Sequence, residues 1–340
     1  MLDILFLIFI PTFIYFINGI FLKKKLLPNY SGSIHQKFFN NKSIPLSGGL
    51  FLCLFSLLIF SKTSIFFILA FLSIFLLGFF SDINILSSVK WRFFIQSIII
   101  FLLIYFTQSN IQSLRVNLID FYLQNFIISC LFTSFCLMIL VNGTNFIDGL
   151  NGLVISYFLL ILYVLFKLNL TDLFFNNIFN FTSFITLLCS LLFFNFFNKL
   201  YLGDSGSYLI GILTGYFLIS VNLNFTQISP YFIALLLWYP AFEILFSIIR
   251  KLILKKSPFK PDNNHFHHLL FFFIKNKFNF GKNTSNNVSS LIIITYNFII
   301  FNIALLNIYY TYFHVILILL NVFIYFIFYK KFLSFKEIKS

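Results

Sequence analysis

LDILFLIFIPTFIYFINGIF, residues 2–21, carries a single charge, Asp3, at its edge. A helix rises about 1.5 Å per residue, so a run of this length spans about 30 Å, the hydrocarbon thickness of a bilayer. A helix lying on a soluble core would carry a polar face at the 3.6-residue period, and this stretch shows none. The same holds for IIITYNFIIFNIALLNIYY at 292–310. The first run reads as a retained helix rather than a cleaved leader, because no basic region precedes it and Lys23, Lys24 and Lys25 follow it.

Composition extends this reading to the whole chain. Of 340 residues, 60% are hydrophobic, 22% aromatic and 9% charged, against about 25% charged in soluble domains. A membrane β-barrel would alternate apolar and polar residues over about ten positions per strand, which is not seen. The expected fold class is an all-α polytopic membrane protein forming one domain over 1–340. It would include a histidine-containing loop at 250–289, then two last spans and a basic tail over 290–340. Apolar run length predicts about eleven transmembrane helices, at 2–21, 46–61, 64–80, 92–107, 122–141, 152–167, 178–197, 206–223, 230–249, 290–308 and 311–329. Cys53, Cys130, Cys136 and Cys189 lie inside these runs without metal-ligand spacing and read as small buried hydrophobes.

Charge sets the orientation. With the N-terminus outside, only Lys62, Arg115 and Lys167 fall in outer segments, leaving 20 of the 23 Lys and Arg inside. The net charge of +14 is then explained by membrane topology and contact with anionic lipid. No nucleic-acid-binding module is seen.

The nine acidic residues are the more informative. Asp3, Asp120 and Asp172 fall outside. Asp82, Asp148, Asp204 and Asp262 fall in four inner loops or at their membrane edges, Glu243 lies within the ninth run, and Glu337 is in the tail. A carboxylate near hydrocarbon is costly unless paired or hydrated. Three inner segments are rich in glycine and small polar residues: IPLSGGL (44–50), VNGTNFIDGLNG (141–152) and YLGDSGSYLIG (201–211). A fourth, PDNNHFHHLL (261–270), holds His265, His267 and His268, three of the five histidines. Aspartates without thiols suit a hard cation such as Mg²⁺, which shares its coordination sphere with substrate phosphates. Imidazoles, lysines and glycine N–H groups suit phosphate oxygens. A site on the cytoplasmic face for a phosphorylated substrate follows. Taken singly, Asp148 before Gly149 and Asp204 after Gly203 also read as turn or cap residues. Zinc at HFHH lacks a fourth ligand at a recognisable spacing. A lipid-phosphate transporter would gather its polar residues near the bilayer midplane instead.

With these segments in view, the chain resembles the polyprenyl-phosphate N-acetylhexosamine-1-phosphate transferases. These are integral membrane enzymes that start lipid-linked glycans such as lipopolysaccharide O-antigen. The resemblance rests on five motifs in order: SGG at 47–49 after His35 and Lys42, GFFSDINILSSVKWRFFIQ at 78–96, NGTNFIDGLNGL at 142–153, LGDSGSYLIG at 202–211 and SPFKPDNNHFHHLL at 257–270. The last looks like the branch using UDP-N-acetylglucosamine or a related UDP-N-acetylhexosamine. Phospho-MurNAc-pentapeptide translocase, the alternative within the family, has three adjacent histidines where Phe266 interrupts the run here.

The resemblance implies transfer of a sugar 1-phosphate from a UDP-sugar to undecaprenyl phosphate, with loss of UMP and a requirement for Mg²⁺ or Mn²⁺. It implies a multi-pass protein of the bacterial inner membrane with its active site facing the cytoplasm, and leaves a homodimer open. Asp82, Asp204, His267 and His268 are the implied catalytic residues, with Asp204 and Asp82 at the metal. Lys42, Ser81, Lys90, Asn145, Asp148, Asn151 and His265 are the implied substrate contacts. Two positions depart from the family pattern: Ser81 replaces the first carboxylate of an acidic pair, and Asn151 the second aspartate of the DGxDG form.

Overall fold

The computed structural model describes residues 2–28, 44–60, 63–258 and 262–339, with side chains from Ile4 onward. His35 and Lys42 lie outside the described residues. Fourteen α-helices are present among those described: α1 (Leu2–Lys24), α2 (Gly48–Ile59), α3 (Ile65–Asp82), α4 (Val89–Thr107), α5 (Asn117–Leu123), α6 (Phe126–Ile147), α7 (Leu153–Lys167), α8 (Ile178–Phe196), α9 (Gly203–Asn224), α10 (Pro230–Leu236), α11 (Trp238–Ile253), α12 (Phe266–Phe278), α13 (Lys282–Ala304) and α14 (Thr311–Lys339). The described residues contain no strand, only one isolated backbone bridge between Pro28 and Pro45.

All eleven apolar runs become helical, but not all reach membrane-crossing length. Eight helices are long and apolar enough: α1, α3, α4, α6, α8, α9, α13 and α14. The helices α2 and α7, at 12 and 15 residues, fall short of the roughly 20 that a span needs. The run expected as one span at 230–249 is instead a pair, α10 and α11, bent by 75°. Pro240 accounts for the break. It has no N–H to give the carbonyl four residues back, and its ring crowds that turn. That carbonyl, on Leu236, accepts from the Tyr157 hydroxyl of α7 at 3.0 Å. The bend is thus held by a side chain from another helix.

The helix α9 is the centre of the bundle. Its most apolar window is 78% buried, against 17% for α1 and α14, and it packs on α2, α3 and α6. Glycine permits the closest of these approaches. A Cβ placed on Gly78 of α3 would lie 2.6 Å from the Ser205 amide nitrogen.

The loops gather at two ends. At one, the Arg115 guanidinium donates to the carbonyls of Thr226, Gln227 and Tyr309 and to Thr311 Oγ1. At the other lie the turns after α3, α6 and α8 and the α11–α12 loop. Four of the glycine- and polar-rich motifs meet there.

Candidate active site

The site begins where α9 begins. The first amides of a helix have no partner inside it, and Leu202, preceding α9, offers no side-chain cap. The cap comes from α3. Asp82 Oδ1 accepts from the Asp204 amide at 2.7 Å, and Oδ2 accepts from the Ser205 amide at 3.1 Å and the Ser205 hydroxyl at 2.7 Å. A carboxylate there also meets the positive end of the helix dipole. Gly203 makes the approach possible. Its φ of 72° is left-handed, and a Cβ would stand 2.6 Å from Asp82 Oδ2.

Capped in this way, α9 turns Asp204 toward α4 and α6. Its Oδ1 accepts from Asn145 Nδ2 at 2.8 Å, and its Oδ2 accepts from the Ser81 hydroxyl at 2.6 Å and pairs with the Arg92 guanidinium. Arg92 also reaches the Ser81 oxygen. Asn145 donates a second bond to Ser207 Oγ at 2.9 Å. The Asp204 side chain keeps 26% of its exposure, so the cluster opens to the surface.

Asp148 closes α6 as its C-cap residue. Burial pushes its carboxyl well above the usual carboxylate range, and the negative charges of Asp204 and Asp82 push it further. Asp82, Asp148 and Asp204 therefore share one electrostatic neighbourhood. Within it Arg92 pairs with Asp204.

The imidazoles arrive from α12. His267 and His268 lie over the DGLNG turn: a Cβ on Gly149 would come 2.8 Å from His267 Nε2 and 2.9 Å from His268 Cε1. Their ring centroids are 4.3 Å apart. His265 faces two carboxylates, with Nδ1 3.1 Å from Glu243 Oε1 and Nε2 3.6 Å from Asp262 Oδ1. Asp262 is held by Arg250 through both oxygens, at 3.0 and 2.8 Å.

The structure thus joins Ser81, Asp82, Asn145 and Asp204 directly, and sets Asp148, His267 and His268 beside them. Asn151 is bonded elsewhere. Its amide donates to Asn198 and Asn287, and its backbone N–H to Asn286. Lys90 is exposed on the first turn of α4, two residues before Arg92. Arg92, Ser205, Glu243 and Tyr325 have parts here that the sequence reading did not assign.

The chemistry of the donor set bears on the expected metal. Among the described residues no three His, Cys, Asp or Glu side chains form a ready-made cage. What the chain offers is oxygen, and Asp148 and Asp204 are the two of the three carboxylates that keep partial exposure. Mg²⁺ is commonly held by one or two carboxylates with substrate phosphates completing its sphere. The site fits that pattern, and a cation beside Asp148 would favour its ionised form.

These features define a polytopic helical membrane protein with an acidic, phosphate-suited site at one end of the bundle. Residues 64–222 match the family model of glycosyl transferase family 4. Over 71 residues the chain is 39% identical to an undecaprenyl-phosphate alpha-N-acetylglucosaminyl 1-phosphate transferase of Thermotoga maritima, covering 21% of this chain and 23% of that protein. Over 142 residues it is 30% identical to a probable undecaprenyl-phosphate N-acetylglucosaminyl 1-phosphate transferase of Bacillus subtilis, covering 39% of this chain and 38% of that one. The chain thus matches well under half the length of either relative.

Proposed function

We propose that this protein transfers an N-acetylhexosamine 1-phosphate, with N-acetylglucosamine the favoured sugar, from its UDP-sugar to undecaprenyl phosphate. The observation that carries the reading is the meeting of Asp82, Asp148, Asp204 and Arg92 at the head of α9, under the His267–His268 pair. Two relatives whose names give undecaprenyl phosphate and an N-acetylglucosaminyl 1-phosphate transferase support the acceptor and the transferred group.

In this reading an oxygen of the polyprenyl phosphate attacks the sugar-linked phosphorus of the donor. The bond between that phosphorus and the bridging oxygen breaks, and UMP leaves with the electron pair. Mg²⁺, held by Asp204 and Asp148, would neutralise charge on the donor diphosphate. Arg92 balances Asp204 and adds a planar donor for a phosphate oxygen. His267 and His268 bind diphosphate oxygens. Asn145 and Ser81 fix the Asp204 carboxylate by hydrogen bonds. Asp82 already accepts three bonds from α9, so its work is to hold the head of that helix in place. An Asp82 so engaged is a poor nucleophile, which favours single displacement over a covalent aspartyl-phosphate. In this reading the site faces the cytoplasm at the inner membrane and the N-terminus lies outside, which the asymmetry of Lys and Arg along the chain supports.

The test is a membrane assay with radiolabelled UDP-N-acetylglucosamine, undecaprenyl phosphate and Mg²⁺. Expected are label in the lipid fraction, release of UMP, and loss of both with EDTA or in Asp204→Ala. Absence of lipid label across a panel of UDP-N-acetylhexosamines would overturn the proposal.

A further inference from the structure

Glu243 is 1% exposed and sits in α11 just beyond the bend. A carboxylate buried among apolar helices persists only when donors fill its lone pairs. Here they come from two other helices, α12 and α14, and from the residue just before α12. Oε1 accepts from the Phe266 amide at 3.1 Å and faces His265 Nδ1 at 3.1 Å, while Oε2 accepts from the Tyr325 hydroxyl of α14 at 2.9 Å.

Phe266 is the first residue of α12, and His265 before it makes no side-chain cap bond. Glu243 therefore does for α12 what Asp82 does for α9: a carboxylate from a neighbouring helix supplies the cap. Both α9 and α12 thus have their starting points set from outside.

The helix α14 completes the hold. Tyr329 donates to the Asn264 carbonyl at 3.0 Å, and Arg250 donates to the Tyr329 hydroxyl at 2.7 Å. Lys336 donates to Asn264 Oδ1 at 2.7 Å and to the Asn263 carbonyl at 3.2 Å. The Phe332 ring lies 5.8 Å from Phe266 and 4.8 Å from Phe273.

We infer that Glu243 is a positioning residue: with α14 as its brace, it fixes the start of α12 and so sets His267 and His268 over the Gly149 turn. It touches no substrate. Its effect falls on the donor, because the imidazoles it places are those assigned to the donor phosphates. This last step rests on the proposed function; the placement of α12 does not.

Two measurements test it, on full-length protein in detergent or nanodiscs. The first is hydrogen exchange. Glu243→Ala is expected to speed exchange of the amides at 265–270 by about tenfold, the factor carried by one lost charge-assisted hydrogen bond. Peptides from 203–212 in α9 should stay at wild-type rates. Glu243→Gln, which keeps an acceptor for the Phe266 amide, should restore most of the protection. The second is steady-state kinetics. Glu243→Ala should raise KM for the UDP-sugar about tenfold and leave KM for polyprenyl phosphate within about twofold, with recovery in Glu243→Gln. Tyr325→Phe removes one bond without removing the carboxylate, and should move both readouts the same way by about threefold. It serves if the alanine variant does not accumulate. Unchanged exchange at 265–270 in these variants, or equal shifts in both KM values, would overturn the inference. Should wild type transfer no sugar, the exchange result still decides the placement of α12, and the failure belongs to the proposed reaction.

Discussion

Arg92 is one of only three arginines in a chain with twenty lysines. Each of the three guanidiniums is spent on several acceptors: Arg92 on Asp204 and Ser81, Arg115 on three carbonyls and a hydroxyl, and Arg250 on Asp262, Tyr329 and a carbonyl. Only a planar fork of donors does this, and lysine is no substitute. Arg92→Ala should lower turnover by about a hundredfold while the protein stays folded, with Arg92→Lys recovering little of it; a transfer assay and thermal unfolding check both halves. Asp148 supplies a pH test. Its folded-state pKa is raised, so the native protein holds that proton at pH values where the unfolded chain has released it. Stability is then lost as pH climbs from the ordinary carboxylate value of about 3.9 through the raised one. Without divalent cation, Asp148→Asn should melt higher than wild type at pH 8, and the two should converge near pH 4. At this scale the sequence was half legible. The carboxylates stood out because acids are rare and hydrocarbon penalises them. Arg92 was hidden among positive-inside charges, although the rarity of arginine beside lysine was a signal open to reading.

Helices were legible as apolar runs, because each run satisfies its own backbone groups in a setting without water. Where they stop short or break depends on neighbours. Pro240 stood in plain sight within the run at 230–249, but proline is often tolerated in membrane helices. What settles the bend is that Tyr157, far away in sequence, takes the freed Leu236 carbonyl. The glycine-rich motifs were read as anion-binding turns. In the fold, Gly78 and Gly203 serve to bring α3 against the head of α9. Gly78→Ala should therefore force the two helices apart and disturb the Asp82 cap. A loss of about 1–3 kcal/mol is expected, read by thermal unfolding, with a fall in transfer activity larger than that of an alanine placed at Gly19, where a Cβ meets nothing within 4 Å.

Across the whole molecule, hydrogen bonds gather the loops at two ends, and the proposed topology puts the motif-bearing end inside. Arg115 is one of the cations expected on the outer side with Lys62 and Lys167, and its acceptors on Thr226, Gln227, Tyr309 and Thr311 hold it there. Orientation can be read by thiol labelling in a background lacking the native cysteines. Gln227→Cys should react with an impermeant reagent on intact cells, and Lys255→Cys only after permeabilisation; the reverse pattern would invert the topology. The helix α14 reaches both ends, offering Thr311 to Arg115 at one and Tyr325, Tyr329 and Lys336 to the α11–α12 segment at the other. A ribosome delivers helices in chain order, and α14 follows the other thirteen. Arg115 is thus made 194 residues before the Tyr309 carbonyl that it binds, and Glu243 82 residues before the Tyr325 hydroxyl. During synthesis both ends wait open on the same late arrival. Insertion of one helix then closes them together, and a nascent chain stalled before it leaves a half-matched guanidinium at one end, held only by Thr226 and Gln227, and a half-satisfied carboxylate toward the other.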